Sequence, residues 1–251
     1  MKIIDTHAHL CDRSFDRDLL EVLRRAENDG IVAIISVSED LDDAKKNLHL
    51  ADISPLIYPA AGLYPSCLDL GEAERMLEFI RAEKDRLIAI GEVGLDFWIV
   101  KDESKKEVQR EIFRKFIEIS NELSLPLNVH SRSAGRYAIS LLLDCGADKV
   151  QMHAFDGKAS AALVGVEAGF YFSIPPSVVR SRQKQKLVKQ LPLSSLLIET
   201  DSPVLGVSPD ERNEPANSRV VIRAISEIKG VSEEEVMEVA YENTIRLYGN
   251  F

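Results

Sequence analysis

The sequence contains no long run of apolar residues, and this absence limits where the protein can act. No stretch approaches the roughly 20 consecutive apolar residues that a membrane-spanning helix needs, so the sequence predicts no membrane segment. Residues 1–5 lead directly into a strand-like run and do not have the charged and apolar layout of a secretion signal. We therefore expect a cytoplasmic protein.

Cysteine is scarce, and the cysteines that are present lie far apart. Cys11, Cys67 and Cys145 are the 3 cysteines of the chain, and they form no Cys-x-x-Cys pair. A disulfide framework needs an even, closely patterned set, and a thiolate zinc site needs paired cysteines. We therefore expect three reduced thiols that take no part in catalysis.

Positive charge is also in deficit, which excludes one mode of nucleic-acid binding. The chain has 31 lysines and arginines against 41 aspartates and glutamates, a net charge of −10. A protein that coats nucleic acid through a broad basic face would carry the opposite balance. Local binding of a few phosphates is compatible with this charge, because bound divalent cations reverse the sign of the field inside a site.

The chain alternates short apolar runs with amphipathic stretches from end to end. The runs are rich in Ile, Val and Leu and predict strands covered on both faces, at 3–6, 32–37, 57–62, 87–91, 125–129, 149–152, 169–172 and 196–199. Apolar residues at helical spacing predict helices that include 18–28, 104–123, 216–228 and 232–247, with Asp16 and Ser104 as N-caps. Such strand–helix repeats in 251 residues predict one domain, a (β/α)₈ TIM barrel over residues 1–251. A doubly wound open sheet is the alternative.

Histidines and acids stand at the carboxyl ends of the predicted strands. His7 and His9 are two residues apart, so both side chains point to the same side of a strand. The side chains at the ends of other runs are Glu92, His130, His153 and Asp201. Barrels of this kind build their active sites at this face from several strands. The fifth histidine, His49, falls in a helical stretch and is expected to be a surface or packing residue.

This set of side chains predicts a site for two metal ions. Imidazole nitrogen and carboxylate oxygen suit Zn²⁺ and Mn²⁺, and carboxylates with open positions suit Mg²⁺. A single catalytic ion that keeps an open position cannot bind six protein ligands. Two ions about 3.5–4 Å apart can share them. The expected division is His7, His9 and Asp201 on one ion, His130 and His153 on the other, and Glu92 bridging them. Glu92 and Asp201 are the expected catalytic carboxylates, with Asp201 accepting the proton of the attacking water.

These residues lie in longer motifs. The motifs are Asp-Thr-His-Ala-His-Leu at 5–10, Gly-Glu-Val-Gly-Leu-Asp-Phe at 91–97, Asn-Val-His-Ser-Arg at 128–132, His-Ala-Phe at 153–155 and Glu-Thr-Asp-Ser-Pro at 199–203. Along nearly its whole length the chain resembles the TatD-like metal-dependent deoxyribonucleases, a branch of the amidohydrolase superfamily. The resemblance implies a (β/α)₈ barrel and two divalent ions (Mg²⁺, Mn²⁺ or Zn²⁺) held by the six residues. It also implies that the substrate and partner is DNA, cleaved at phosphodiester bonds from single strands or strand ends.

Several further residues bear on how a substrate is held. Where family members usually carry histidine in a Gly-[Leu/Ile/Val]-His-Pro motif, this chain has Tyr64. A phenol can donate a hydrogen bond to phosphate but carries no positive charge at neutral pH, so we expect Tyr64 to position the substrate. Arg132 is expected to contact a phosphate. Lys158 and the basic run at 180–189 are either phosphate contacts or solvated charges, and Trp98, the only tryptophan, either stacks on a base or packs internally.

Two other functions share these features. One is a two-metal enzyme of the same superfamily that acts on another ester or amide, because barrel and ligand set are common to many activities. Glu92 at the bridging position, where many amide hydrolases of the superfamily modify a lysine, favours phosphate. The other is a metal-binding scaffold without activity. The complete set of ligand residues argues against this alternative. The sequence leaves the oligomeric state open.

Overall fold

A computed structural model of the chain describes residues 2–251. Eight parallel strands follow one another in chain order in a single sheet, and a helix follows each of them. The strands are β1 (Ile3–Ala8), β2 (Ile31–Ser36), β3 (Ile57–Ala61), β4 (Ala89–Gly94), β5 (Leu127–His130), β6 (Val150–Met152), β7 (Tyr171–Ile174) and β8 (Leu196–Ile198). The helices are α1 (Leu19–Asn28), α2 (Leu41–Ile53), α3 (Leu70–Glu83), α4 (Glu103–Leu123), α5 (Gly135–Asp144), α6 (Ala159–Glu167), α7 (Arg182–Gln190), α8 (Ser218–Lys229) and α9 (Glu233–Tyr248).

The sheet closes between its first and last strands. Just beyond β8, the backbone N–H of Asp201 donates to the carbonyl of His7 at 2.8 Å. The backbone N–H of His9 donates to the carbonyl of Ser202 at 2.7 Å. The predicted (β/α)₈ barrel is therefore confirmed, and the open doubly wound sheet is excluded.

The strands are apolar because both of their faces are covered. Side chains alternate between the two faces of a strand, so neighbours in β2 enter different clusters. Ile34 packs in the large cluster that joins the strands to the helices, while Ile35 packs with Ala60, Ala89 and Leu197. This second cluster fills part of the barrel interior.

The helix beginnings differ from the predicted caps. Asp18, not Asp16, precedes α1, and Asp102, not Ser104, caps α4 by accepting a hydrogen bond from the backbone N–H of Lys105 at 3.0 Å. Gly230, with φ of 70°, ends α8 in the left-handed conformation that glycine adopts without strain. Among the helices of residues 2–251, none combines the length and the apolar character required to cross a membrane.

Candidate metal centre and active site

The six expected metal ligands gather at the carboxyl end of the barrel. They are contributed by β1, β4, β5, β6 and β8 or by the residues that follow these strands. All six are at most 9% exposed: His7, His9, Glu92, His130, His153 and Asp201. This is the face at which barrel enzymes bind their substrates.

The first group of ligand atoms comes from His7, His9 and Asp201. The Nε2 atoms of His7 and His9 lie 3.2 Å apart, and each lies 3.4 Å from Asp201 Oδ1. Ligand atoms that surround one ion at about 2.0–2.2 Å are separated from each other by roughly 3–3.5 Å. The spacing of these three atoms therefore suits a single divalent ion.

The second group comes from Glu92, His130 and His153. Glu92 Oε1 lies 2.5 Å from His130 Nδ1 and 3.8 Å from His153 Nε2. The other oxygen of Glu92, Oε2, lies 3.3 Å from His9 Nε2. Glu92 thus directs one oxygen to each group, which is the geometry of a carboxylate that bridges two ions.

The outer ring nitrogens of three histidines are held by oxygen acceptors. His7 Nδ1 lies 2.8 Å from Asn128 Oδ1, and His153 Nδ1 lies 2.9 Å from Glu199 Oε2. His130 is oriented the other way round, with Nε2 at 3.0 Å from Asp96 Oδ2. An outer nitrogen that donates its proton leaves the lone pair of the inner nitrogen free to face the centre.

Asp96, Asn128 and Glu199 are not among the site residues expected from the sequence. A signal for two of them was available, because Asn128 precedes His130 by two residues and Glu199 precedes Asp201 by two. Alternation along a strand places such pairs on the same face. Glu199 is bonded further to Ser173 Oγ at 2.5 Å and to the backbone N–H of Ala154 at 2.9 Å.

Burial and charge act against each other at this centre. Burial disfavours the Glu92 carboxylate, but the surrounding imidazoles outweigh it and hold the pKa of Glu92 well below its usual range. Burial also disfavours the His130 cation, but Glu92 and Asp96 raise the pKa of His130 to about 9. The acids are therefore held as anions, and anions buried together with imidazole donors form a set suited to divalent cations.

A cavity of about 400 Å³ opens onto both groups of ligand atoms, and Tyr64 and Arg132 line it. The Tyr64 hydroxyl donates to Asp96 Oδ2 at 3.1 Å, so its proton faces the partner of His130. Ser131 also lines this cavity; its Oγ is buried and has no hydrogen-bond partner among residues 2–251. Ser131 was not a predicted site residue.

The basic run at 180–189 divides between the cavity and the surface. Lys184 lines the cavity and donates to the carbonyl of Ala154 at 3.0 Å, and burial lowers the pKa of its ammonium group. Arg180, Arg182, Lys186 and Lys189 are exposed. His49 is exposed on α2 and is therefore a surface residue.

Nearly the whole chain is similar to known proteins. The model of the family "TatD related DNase" matches residues 4–249. The human deoxyribonuclease TATDN3 is 45% identical over 98% of this chain and 94% of its own length. The uncharacterized metal-dependent hydrolase YabD of Bacillus subtilis is 34% identical over 98% of each chain.

Solved structures with a similar fold include a TatD homologue. The crystal structure of YjjV, a TatD homologue of Escherichia coli K12, superposes with a TM-score of 0.90 at 25% identity, covering 99% of this chain and 98% of that one. The matched family region includes every residue of the metal centre described above. The chain therefore belongs to the family of TatD related DNases.

Proposed function

We propose that the protein hydrolyses DNA phosphodiester bonds with two divalent ions, acting on single strands or strand ends. The observation that carries the proposal is Glu92, whose Oε1 faces His130 while its Oε2 faces His9 across two sets of ligand atoms. Two-ion centres of this kind serve displacement at phosphorus. The deoxyribonuclease name of the human relative supports DNA as the substrate.

The donor set fits the proposed ions. Imidazole nitrogens and carboxylate oxygens accept Zn²⁺ or Mn²⁺, and the shared carboxylates accept Mg²⁺. One ion would be held by His7, His9, Asp201 and Glu92, and the other by Glu92, His130 and His153. When bound, such ions supply positive charge to the reacting phosphate and lower the pKa of water.

Asp201 is the proposed proton acceptor. Its backbone has φ of 55°, a left-handed conformation that aspartate tolerates better than most residues. The hydrogen bond from its backbone N–H to His7 fixes this turn. The neighbouring imidazoles outweigh the effect of burial and hold the pKa of Asp201 below its usual range, so the carboxylate is unprotonated and can accept a hydrogen bond from the attacking water.

Arg132 and Ser131 are the proposed contacts to the substrate phosphate. Both residues line the cavity: Arg132 is exposed and its guanidinium can bind phosphate in a bidentate manner, while the Ser131 hydroxyl is buried beside it without a hydrogen-bond partner among residues 2–251 and would have to turn toward the phosphate. Tyr64 is proposed to act through Asp96, since the proton that it would donate to a phosphate is directed to that carboxylate. A cytoplasmic location remains a prediction from the sequence.

The test is a substrate panel with metal-stripped and metal-reloaded protein. Single-stranded oligonucleotides with defined 3′ and 5′ ends, a nitrophenyl phosphodiester and a set of amides and esters are incubated with Mg²⁺, Mn²⁺ or Zn²⁺. We expect cleavage of both phosphodiesters and loss of this activity in Asp201→Asn, with folding retained by circular dichroism. Asp85→Asn, at an exposed position far from the cavity, is the matched control. Hydrolysis of amides or carboxylic esters alone would overturn the proposal.

A further inference from the structure

A second cavity, of about 850 Å³, lies beside the metal centre. We call this cavity the side groove; the residues that line it include Arg136, Tyr137, Asp156, Lys158 and Gln183. Asp156 lines both cavities, so the side groove adjoins the active-site cavity. Its walls come from the beginnings of α5 and α6, at the carboxyl end of the barrel.

We propose that the side groove binds the DNA strand beyond the reacting phosphate, with Arg136 and Lys158 contacting the backbone and Trp98 stacking on a base. This inference rests on the proposed function, because it extends the path of the same substrate. The positive charges of Arg136 and Lys158 favour nucleic acid as the occupant of the groove. They stand out in a chain whose net charge is −10.

Neither cation of the groove forms an ion pair, in contrast to several arginines elsewhere on the surface. Arg81, Arg212 and Arg246 each lie within 3.1 Å of a carboxylate oxygen. Within residues 2–251, neither Arg136 nor Lys158 lies within 4.0 Å of one, although both are exposed. A cation without an ion pair is free to bind a phosphate, and each such contact releases counterions from the strand.

The acidic residue of the groove is already engaged. Asp156 Oδ2 accepts a hydrogen bond from the backbone N–H of Ser133 at 2.8 Å, which fixes the loop between β5 and α5. Arg136 lies over the ring of Tyr137, with its guanidinium carbon 4.4 Å from the ring centre. The groove therefore presents a preformed cationic wall next to an aromatic ring.

Trp98 extends this wall to the active-site mouth. The residue is 57% exposed, and the guanidinium carbon of Arg132 and the ammonium nitrogen of Lys101 lie 5.0 and 5.1 Å from its ring centre. Phe97, its neighbour, lies 5.3 Å from Tyr137 between ring centres. An exposed indole that is held by a cation offers a flat face to a base, and stacking of this kind tolerates any sequence.

The experiment compares a long and a short substrate in one double variant. In Arg136→Ala/Lys158→Ala we expect the KM for a 20-nucleotide single strand to rise about tenfold, with the dependence of log KM on log salt reduced by about 1.4. Hydrolysis of a nitrophenyl phosphodiester should stay within about twofold, because this small substrate does not reach the groove. Trp98→Ala should weaken strand binding about 5- to 160-fold.

The controls separate local from general effects. Lys84→Ala/Arg223→Ala removes one lysine and one arginine from exposed positions away from the mouth, and it should leave the KM for the strand unchanged. The charge-preserving pair Arg136→Lys/Lys158→Arg should restore most of the binding. An unchanged KM in the groove variant, an equal rise in the control, or an equal loss on the small diester would each overturn the inference.

Strand binding is also measured without catalysis, by fluorescence anisotropy of a labelled oligothymidylate with metal chelated. Weaker binding by Arg136→Ala/Lys158→Ala than by the control supports the groove even if no phosphodiester is cleaved. In that case the proposed function fails while the strand site stands. Equal binding by wild type and the groove variant removes the strand site whatever the activity.

Discussion

Asp96 Oδ2 lies 3.0 Å from His130 Nε2, on the side of the imidazole ring that faces away from Glu92. The other oxygen of Asp96 accepts hydrogen bonds from the backbone N–H groups of Trp98 and Ile99, both at 2.8 Å. Hydrogen bonds from its own loop therefore hold the Asp96 carboxylate in the position from which it orients His130. A ring held in this way presents Nδ1 to the centre and has little freedom to turn away.

Asp96→Asn tests this orienting role. The substitution keeps the size of the side chain but removes its charge, so we expect metal affinity to fall about 10- to 100-fold. Metal titration by calorimetry and activity as a function of metal concentration are the measurements, and excess metal should restore much of the activity. Asp85→Asn, an exposed change of the same kind, is the control. Unaltered metal affinity in folded Asp96→Asn would show that the contact is incidental.

Glu199→Gln tests the corresponding partner of His153. Glu199 accepts from Ser173 Oγ and from the backbone N–H of Ala154, and its Oε2 faces His153. In Glu199→Gln, the side-chain NH₂ would face one of the groups that donate to Glu199, so a buried donor would lose its acceptor. A buried polar group left without a partner costs about 1–3 kcal/mol. We expect the free energy of unfolding in urea to fall by this amount with metal chelated. An unchanged free energy of unfolding in Glu199→Gln would contradict the assignment.

The periodicity of the sequence predicts the barrel well but places strand β4 imprecisely. The predicted run ends at Gly91, whereas β4 continues through Glu92 to Gly94. When a strand is predicted from hydrophobicity alone, Gly91 and Glu92 indicate that it ends there. In the folded chain Glu92 is a buried strand residue, because histidines from other strands surround its side chain.

The candidate ligands can be predicted because each follows an apolar run, whereas their partners depend on contacts across the fold. Asp96 lies in a loop, 34 residues from the histidine that it contacts. Lys184 is one of several basic residues of α7, and nothing in its spacing distinguishes it from Lys186. Only the packing of α7 against the loop at Ala154 turns Lys184 toward the cavity.

Tyr64→Phe measures the contribution of the Tyr64 hydroxyl at the active-site cavity. The change removes one hydrogen bond to Asp96, worth about 0.5–1.5 kcal/mol, so we expect kcat/KM to fall roughly 2- to 12-fold. If Tyr64 acts through Asp96, Tyr64→Phe in the Asp96→Asn background should add little. A full additional loss in that double variant would instead indicate direct contact with the phosphate.

Removal and return of metal should change stability as well as activity. An ion that binds only the folded chain stabilises it by about 2.7 kcal/mol at one hundred times its dissociation constant. For a chain of this size we expect Tm to rise by roughly 5–10 °C on addition of Mg²⁺, Mn²⁺ or Zn²⁺ to chelated protein. Differential scanning fluorimetry measures the shift, which Asp201→Asn should reduce. No shift with any of the three ions would argue against a metal centre.

Gly62→Ala examines how closely the backbone beneath Glu92 is packed. A Cβ atom at Gly62 would lie 2.5 Å from the carbonyl carbon of Gly91 and 2.6 Å from the backbone nitrogen of Glu92, so the backbone itself would have to move. Gly169 is the matched control: its φ is +87°, but a Cβ there meets nothing within 4 Å. Gly169→Ala should therefore cost only the left-handed conformation, about 1–2 kcal/mol.

We expect Gly62→Ala to cost more than Gly169→Ala in the free energy of unfolding measured by urea titration. It should also weaken metal binding, because displacement of the Glu92 backbone separates the carboxylate oxygens from both groups of histidines. Gly169→Ala should leave metal binding unchanged at the same temperature. Equal stability of the two variants, with metal affinity preserved in Gly62→Ala, would mean that β3 and β4 can separate without disturbing the bridging carboxylate.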